Sequence, residues 1–414
     1  MKSFLAIPLR NVLRNRRRTA ITLMVIVFGA MALMLSGGFF ANSYEGLRER
    51  TIRNGLGHVQ VVTEPFLKDG EEKPLANGIQ DYRALQARLE KLPHVVGTTG
   101  EVSFVGLISN GEKSEAFLGR GVEPAREQQI GFTTHIKEGQ PLSLTDSAQE
   151  AGEYEALLGV GLASALKAKV GDVLTLLSTT TDGSLNGMDV KVVGLLTTGV
   201  KEFDDRAVKV KLGTAQTLVG SDRVTKVIVK LDETPHTDEV VAAINGSGLE
   251  AGGVKLRARS WSEVATFYHQ VVRMYDAIFL VLGVIIVVLV VLSSSNTMMM
   301  AVLERVQEVG TLMAIGARRW QVLGIFIAEG FLVGSLGAAI GLVTSFAAIK
   351  FINAANLLLP PPPGFSSGIP LRINFVPKLC VGVFVLVALT QTVSAFLPSI
   401  KAARLKIVDA LRHI

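Results

Sequence analysis

The sequence predicts an α-helical membrane protein with four transmembrane helices and one large α+β domain outside the bilayer. Three observations predict it. Mean hydropathy is +0.40 with 49% hydrophobic residues, too apolar for a wholly soluble chain, while 19% charged residues are too many for a wholly embedded one. Four apolar runs, at about 19–41, 277–300, 322–350 and 379–397, are each long enough to cross a hydrocarbon core of roughly 30 Å. Between the first and second runs lies a polar stretch, 42–276, large enough to build its own core.

Residues 1–18 carry Lys2, Arg10, Arg14, Arg16, Arg17 and Arg18 and no acid, which assigns them to the cytoplasm. A cleaved signal peptide is the competing reading of a basic region before an apolar one. The run is long for that, and Gly37, Gly38 and Phe39 make a poor cleavage site. With four spans the tail, 398–414, returns to the cytoplasm, in keeping with Lys401, Arg404, Lys406 and Arg412. The same count puts 301–321 inside and 42–276 and 351–378 outside. The net charge of +6 reflects this topology rather than nucleic-acid binding, because the basic residues gather beside apolar runs.

The outer segment reads as a split α/β lobe with an inserted β-rich lobe at about 100–212. Its first part is strand, helix, strand (57–62, 82–92, from Val95), and its last part is helix, strand, helix, strand (213–220, 224–231, 238–245, 254–259). The stretch between is rich in Gly, Thr and short alternating runs. Ser260 and Glu263 form a capping-box pattern, after which helix-favouring sequence runs without Pro or Gly to Gly283 and on through the second span. Such a helix is longer than the membrane is thick and predicts a stalk.

The most informative segment is Glu304 to Trp320, ERVQEVGTLMAIGARRW, a charged stretch caught between two apolar runs. Val302, Val306, Val309 and Met313 fall at helical spacing, with Glu304, Arg305, Gln307 and Glu308 on the opposite side. Gly316 sits where the helix should stop. Gly310 in mid-helix predicts the close approach of another backbone. An ordinary connecting loop is the plain alternative. In the third run, Gly330, Gly334, Gly337 and Gly341 predict close helix packing, and Glu329 is an intramembrane carboxylate that must face protein or water. A structural link between helices and a substrate or proton role both remain open for it. Pro360 to Pro363 predict a stiff outer loop.

This segment resembles the ER-x-x-E-[IV]-G-x-x-x-A-x-G-A signature of the MacB-type ABC permeases, the group that includes LolC, LolE, MacB and, more distantly, FtsX. LGHVQV at 56–61, LLGVGLASALKAKVGDVLTL at 157–176 and FDDRAVKVKLGTAQTL at 203–218 extend the likeness over nearly the whole chain. The tail resembles the family ending, with Ile407 and Val408 in place of its proline step. The resemblance implies a bacterial inner-membrane permease whose outer domain is a periplasmic, porter-like lobe with a β-rich insert. It implies a separate ATPase subunit that binds the ATP and Mg, and a second permease copy or paralogue. Glu304, Arg305, Glu308, Gly310, Gly316 and Arg318 would form the coupling segment that docks on that ATPase. For the lipoprotein-releasing branch it implies an apolar cavity along the first two spans, for which Phe28, Leu35, Phe39, Phe279, Leu282 and Ile286 are candidates, and a lipoprotein with its periplasmic carrier as partners. The end of the first span, GGFFANSYEGLRER, departs from LolC and LolE. A tripartite efflux permease with adaptor and outer-membrane duct, and an FtsX-like regulator that transports nothing, are the alternatives.

No catalytic chemistry is expected. The nearest approach to a phosphate-binding loop, GLLTTGVKE at 194–202, has Val where the lysine belongs. No metal site is expected, because H-E-x-x-H and closely spaced histidine pairs are absent and the six histidines are scattered. His58 reads as a packed, hydrogen-bonded residue. Cys380 is alone, so no internal disulfide forms.

Overall fold

A computed structural model describes residues 16–69, 75–145, 148, 152–199, 201–360 and 369–404. The basic residues up to Arg14, Pro361 to Pro363, and the tail with Lys406, Ile407, Val408 and Arg412 lie outside the described residues. The chain divides into two compact units: a membrane unit drawn from Met1–Gly46, Gln270–Pro360 and Ile369–Ile414, and a second unit drawn from Leu47–His269 and Pro361–Gly368.

Among the described residues, four helices are long and apolar enough to span a bilayer, and they define the membrane unit. The first is Arg16–Thr51, the second Thr266–Glu304, the third Arg319–Ala354 and the fourth Pro377–Ser394. The second is 39 residues long, about 58 Å at 1.5 Å per residue and nearly twice the hydrocarbon core. It does not start at the capping box. Ser260 and Glu263 do cap each other, with Glu263 N–H donating to Ser260 Oγ at 3.3 Å and Ser260 N–H to Glu263 Oε1 at 3.1 Å. The helix they start, however, is the single turn Trp261–Val264, and Ala265 at φ −81°, ψ 64° breaks it from the long one. Ala265 is buried with Ile52 and Trp261, so packing overrides the uninterrupted helical sequence.

The glycine stripe of the third helix is where the bundle closes. A Cβ on Gly330 would stand 2.7 Å from the Ala395 Cβ, and one on Gly334 2.7 Å from the Gln391 Cβ, both at the fourth helix. Cβ atoms on Gly337 and Gly341 would stand 2.6 Å from Ile26 and 2.8 Å from Ala30 of the first helix. One small-residue stripe therefore serves two neighbours in succession, its lower half against the fourth helix and its upper half against the first.

Among its described residues the second unit carries eleven strands: β1 Val59–Thr63, β2 Val95–Ser109, β3 Ser114–Val122, β4 His135–Gly139, β5 Glu155–Gly159, β6 Val173–Thr179, β7 Leu185–Thr197, β8 Ala207–Lys211, β9 Lys226–Leu231, β10 Glu250–Ala251 and β11 Val254–Ser260. They run in the order β10-β11-β1-β9-β2-β3-β8-β5-β7-β4, with β6 joining β7 back to β2. The pairings β2–β3, β3–β8, β8–β5, β5–β7, β7–β6 and β6–β2 close a ring, so the β-rich insert is a six-stranded barrel. Closure removes the exposed edges that so many short strands would otherwise present. Strands β10, β11, β1 and β9 continue from β2 as the α/β lobe. Tyr82–Leu89 and Thr237–Gly246 supply Tyr82, Leu85, Leu89, Val240 and Ile244 to its core, opposite Val59, Val61, Val227 and Val229. The helix Leu212–Val219, which the sequence pattern assigned to the α/β lobe, packs instead on barrel strands.

Strand β2 belongs to both lobes. Gly97–Glu101 pair with β9, whereas Glu101–Ser109 pair with β3. Glu101 stands at the handover, buried, with Lys226 Nζ 2.9 Å from its Oε1 and Arg120 Nε donating to Oε2 at 2.9 Å. Arg120 reaches further, to the carbonyl of Gly55 at 3.2 Å. Burial alone would raise the Glu101 pKa, but the charges of Arg120 and Lys226 outweigh it and hold the carboxyl at about 2. His58 answers to the opposite balance. Burial first and Lys230 second push it down to about 4, so it is neutral, its Nδ1 accepting the Leu231 N–H at 3.1 Å and its Nε2 3.2 Å from Thr234 Oγ1.

The Glu101 cluster makes a prediction about acid stability. Its carboxyl drops from an ordinary 4.5 to about 2 on folding, so its contribution is complete above pH 4.5 and disappears as pH falls toward 2. Denaturant unfolding of the full chain in detergent, followed by circular dichroism, should show wild type losing on the order of 3 kcal/mol more than Glu101→Gln across that window. Parallel pH profiles for the two proteins would contradict the assignment.

Candidate functional site

The connecting segment folds as a short helix, Val306–Ala314, between the second and third spanning helices. Its inward face follows the hydrophobic spacing: Val306, Val309 and Met313 are buried, and Val309 and Met313 join Met298, Val302, Val322 and Phe326 in one cluster. Gly310 is buried as well. Gly316 adopts φ +102° just beyond the helix, and its N–H donates to the Met313 carbonyl at 3.1 Å. That left-handed backbone is the reason glycine ends the helix here.

The outward face carries Glu304, Gln307 and Glu308, with Arg318 and Arg319 beyond the turn, all exposed. It is not wholly polar. Leu312 is 37% exposed, Ile315 81% and Trp320 63%. A band of large apolar side chains ringed by both signs of charge has the composition of a protein-docking surface. Helical periodicity alone picks out the charged residues, whereas Ile315 and Trp320 lie past the helix end, where the period no longer says which way a side chain faces.

Arg305 departs from the expected arrangement. It is 4% exposed and turned inward, because it occupies the junction between the second helix and Val306–Ala314, at φ −113°, ψ 20°, rather than a position on a regular helix. Its N–H donates to the Val302 carbonyl at 3.1 Å and its carbonyl accepts from Val309 N–H at 2.9 Å. Its guanidinium Nη1 lies 3.0 Å from Oε2 and 3.4 Å from Oε1 of Glu329, 24 residues away on the third helix. Glu329 is likewise buried at 7% exposure. The intramembrane carboxylate thus faces protein, as its cost in lipid requires, and its partner is a residue of the connecting segment.

A small cavity of about 40 Å³ adjoins the pair, lined by Thr19 and Thr22 of the first helix, Ser294 and Thr297 of the second, and Gln391 of the fourth. The pair is therefore the centre of a polar knot reached by all four helices, the first and second contributing hydroxyls, the fourth an amide and the third the Glu329 carboxylate itself. Sequence inspection finds Glu329 alone; the hydroxyls are invisible to it because Ser and Thr are ordinary in spanning helices, their side chains able to bond the carbonyl one turn back.

The residues expected to line an apolar cavity do not form one wall. Phe28 is 60% exposed, whereas Ile286 is buried within the bundle beside Gly29. Phe279 and Leu282 pack partly against that same core, and Leu35 and Phe39 are half-buried. What joins the first and second helices instead is an aromatic ladder: Phe40 stacks on Tyr275 at 5.2 Å and meets Phe279 edge-on at 6.0 Å, Tyr44 stacks on Tyr275 at 6.1 Å, and Tyr44 Oη donates to Asp276 at 2.7 Å.

Residues 19–247 match the family described as the MacB-like periplasmic core domain, and residues 279–407 match the FtsX-like permease C-terminal family. The chain is similar to the lipoprotein-releasing system transmembrane protein LolC of Xylella fastidiosa, with 27% identity over 337 residues, 78% of each chain. It is similar to the lipoprotein-releasing system transmembrane protein LolE of Haemophilus influenzae, with 24% identity over 430 residues, 96% of each chain. A shorter stretch of 116 residues, 28% of this chain and 16% of the relative, is 35% identical to the macrolide export ATP-binding/permease protein MacB of Marinobacter nauticus.

The buried pair makes a prediction independent of cargo. Arg305→Met and Glu329→Leu each leave one charge stranded and should cost about 3–5 kcal/mol, whereas the double substitution should recover most of that loss. Thermal unfolding of the three variants in detergent measures it. Additive losses in the double variant would show that the two groups do not act as a pair.

Proposed function

This chain belongs to the MacB-type family of ABC transporter permeases, in the group with LolC and LolE, and from that premise we propose that it couples ATP hydrolysis to movement of its outer domain and so extracts lipoproteins from the bacterial inner membrane. The observation that carries the coupling part is the connecting segment, which presents Glu304, Glu308, Leu312, Ile315 and Arg318 outward while Arg305 ties the start of its helix to Glu329. A separate ATPase subunit, holding the ATP and Mg, docks on that outward face from the cytoplasm. When its nucleotide-bound form closes, it pushes on Val306–Ala314. The ion pair and the cluster around Val309 and Met313 make the connecting helix move as one body with the third helix, and chain continuity passes the push to the 39-residue second helix. Dimerisation with a second permease, both termini in the cytoplasm and the outer domain in the periplasm complete the arrangement.

Lipoprotein as the cargo is supported by the length of the likeness to LolC and LolE, which runs over 78% and 96% of the chain. A periplasmic lipoprotein carrier would then receive it. Efflux through an adaptor and an outer-membrane duct is the second reading, favoured by the 35% identity with MacB over 116 residues. Purification from native membranes with identification of the co-purifying chains separates the two, since a lipoprotein carrier accompanies the first and an adaptor with a duct the second.

The docking face has its own test. Ile315→Asp removes an exposed apolar anchor without touching the bundle, and should lower ATPase co-purification about tenfold or more, as loss of an interface hot spot does, while leaving the permease's thermal stability unchanged. Undiminished ATPase recovery would place the docking surface elsewhere.

A further inference from the structure

In the second unit, two histidines far apart in sequence converge on one aspartate. His94 Nδ1 lies 2.9 Å from one oxygen of Asp232 and His236 Nδ1 lies 2.9 Å from the other. The imidazoles stack with centroids 3.7 Å apart, so both Nδ1 atoms turn toward the same carboxylate. The three ligand atoms lie within 4.8 Å of one another. Backbone structure holds them there. His94 immediately precedes β2 in a left-handed conformation, φ +68°, and its carbonyl accepts the N–H of Asp232, which immediately follows β9, at 3.0 Å. His236 closes the 3₁₀ turn Thr234–His236 before the next helix. The side chains of His94, Asp232 and His236 are 32%, 45% and 30% exposed, so the group opens to solvent.

We propose that His94, Asp232 and His236 form a binding site for a divalent transition-metal ion of the zinc class. Two imidazole nitrogens and one carboxylate oxygen are the donor set such ions take, whereas magnesium and calcium favour oxygen alone. Donor atoms around a four-coordinate zinc stand roughly 3.3 Å apart; each imidazole nitrogen already lies 2.9 Å from one or the other Asp232 oxygen, and the three ligand atoms lie within 4.8 Å of one another. On binding, each Nδ1 presents its lone pair with the ring proton carried on Nε2, any additional imidazole proton leaves to solvent, and water completes the coordination. The bound ion joins the start of β2 to the end of β9, where the pair Val95–Leu231 opens their ladder. It is a rivet at the end of the sheet on which the α/β lobe is built.

The test uses the full chain in detergent, purified without a polyhistidine tag, titrated with Zn²⁺ alone and with Co²⁺ for its absorption spectrum. Wild type should bind one ion saturably. His236→Gln and Asp232→Asn should each weaken binding about tenfold or more, with unfolding temperatures matching wild type in the presence of chelator. His94 is left in place, because its left-handed backbone would make a substitution there a test of folding as well. Absence of saturable Zn²⁺ binding by wild type, or affinities of both variants within about twofold of it, would overturn the proposal.

Discussion

A guanidinium and a carboxylate taken out of water must stay together, and the Arg305–Glu329 pair imposes that constraint on the membrane unit. Arg305 sits at the junction of the second spanning helix and the connecting helix, and Glu329 well inside the third. Separating them strands a charge in an apolar interior, so the connecting helix cannot tilt freely against the third. A segment meant only to link two spans has no need of such an anchor. In the proposed coupling such an anchor matters, because compliance at that point would absorb the motion instead of passing it on.

The same logic of fixed contact runs through the rest of the chain. The glycine stripe brings the third helix against the fourth and the first at distances no larger residue allows. In the second unit, Glu101 joins barrel and α/β lobe through Arg120 and Lys226, and Arg120 also holds the Gly55 carbonyl in the turn that follows the first helix. Strand β2 runs unbroken through that junction, and the residues of both lobes merge into a single core. Each unit is thus tied internally by a charge cluster around a buried carboxylate at the place where its parts meet.

Much of this was legible in the residues. Four apolar runs, the alternating strands and the stop at Gly316 are local patterns, and local physics decides them. The unread parts are those decided by distant partners. Arg305 sits in a charged run and reads as surface; it turns inward because the helix breaks beside it and Glu329 waits 24 residues on. The pattern from Ser260 onward carries no helix breaker, yet Ala265 interrupts it in order to pack beside Ile52 and Trp261. Ring closure of the barrel depends on β6 meeting β2, about 70 residues earlier in the chain, which alternation alone does not encode. His94 and His236 look scattered for the same reason. Only the pairing of β2 with β9 brings them to one carboxylate.

The central claim is that the connecting helix and the third helix move as one body. Spin labels at the exposed positions Ala314 and Leu336, in the permease bound to its ATPase, measure that directly as a distance distribution with and without trapped nucleotide. One narrow distribution is expected in both states, broadening only when Glu329→Gln loosens the pair. A shift of several ångströms between nucleotide states in the otherwise unaltered protein would show that the joint bends, and would contradict it.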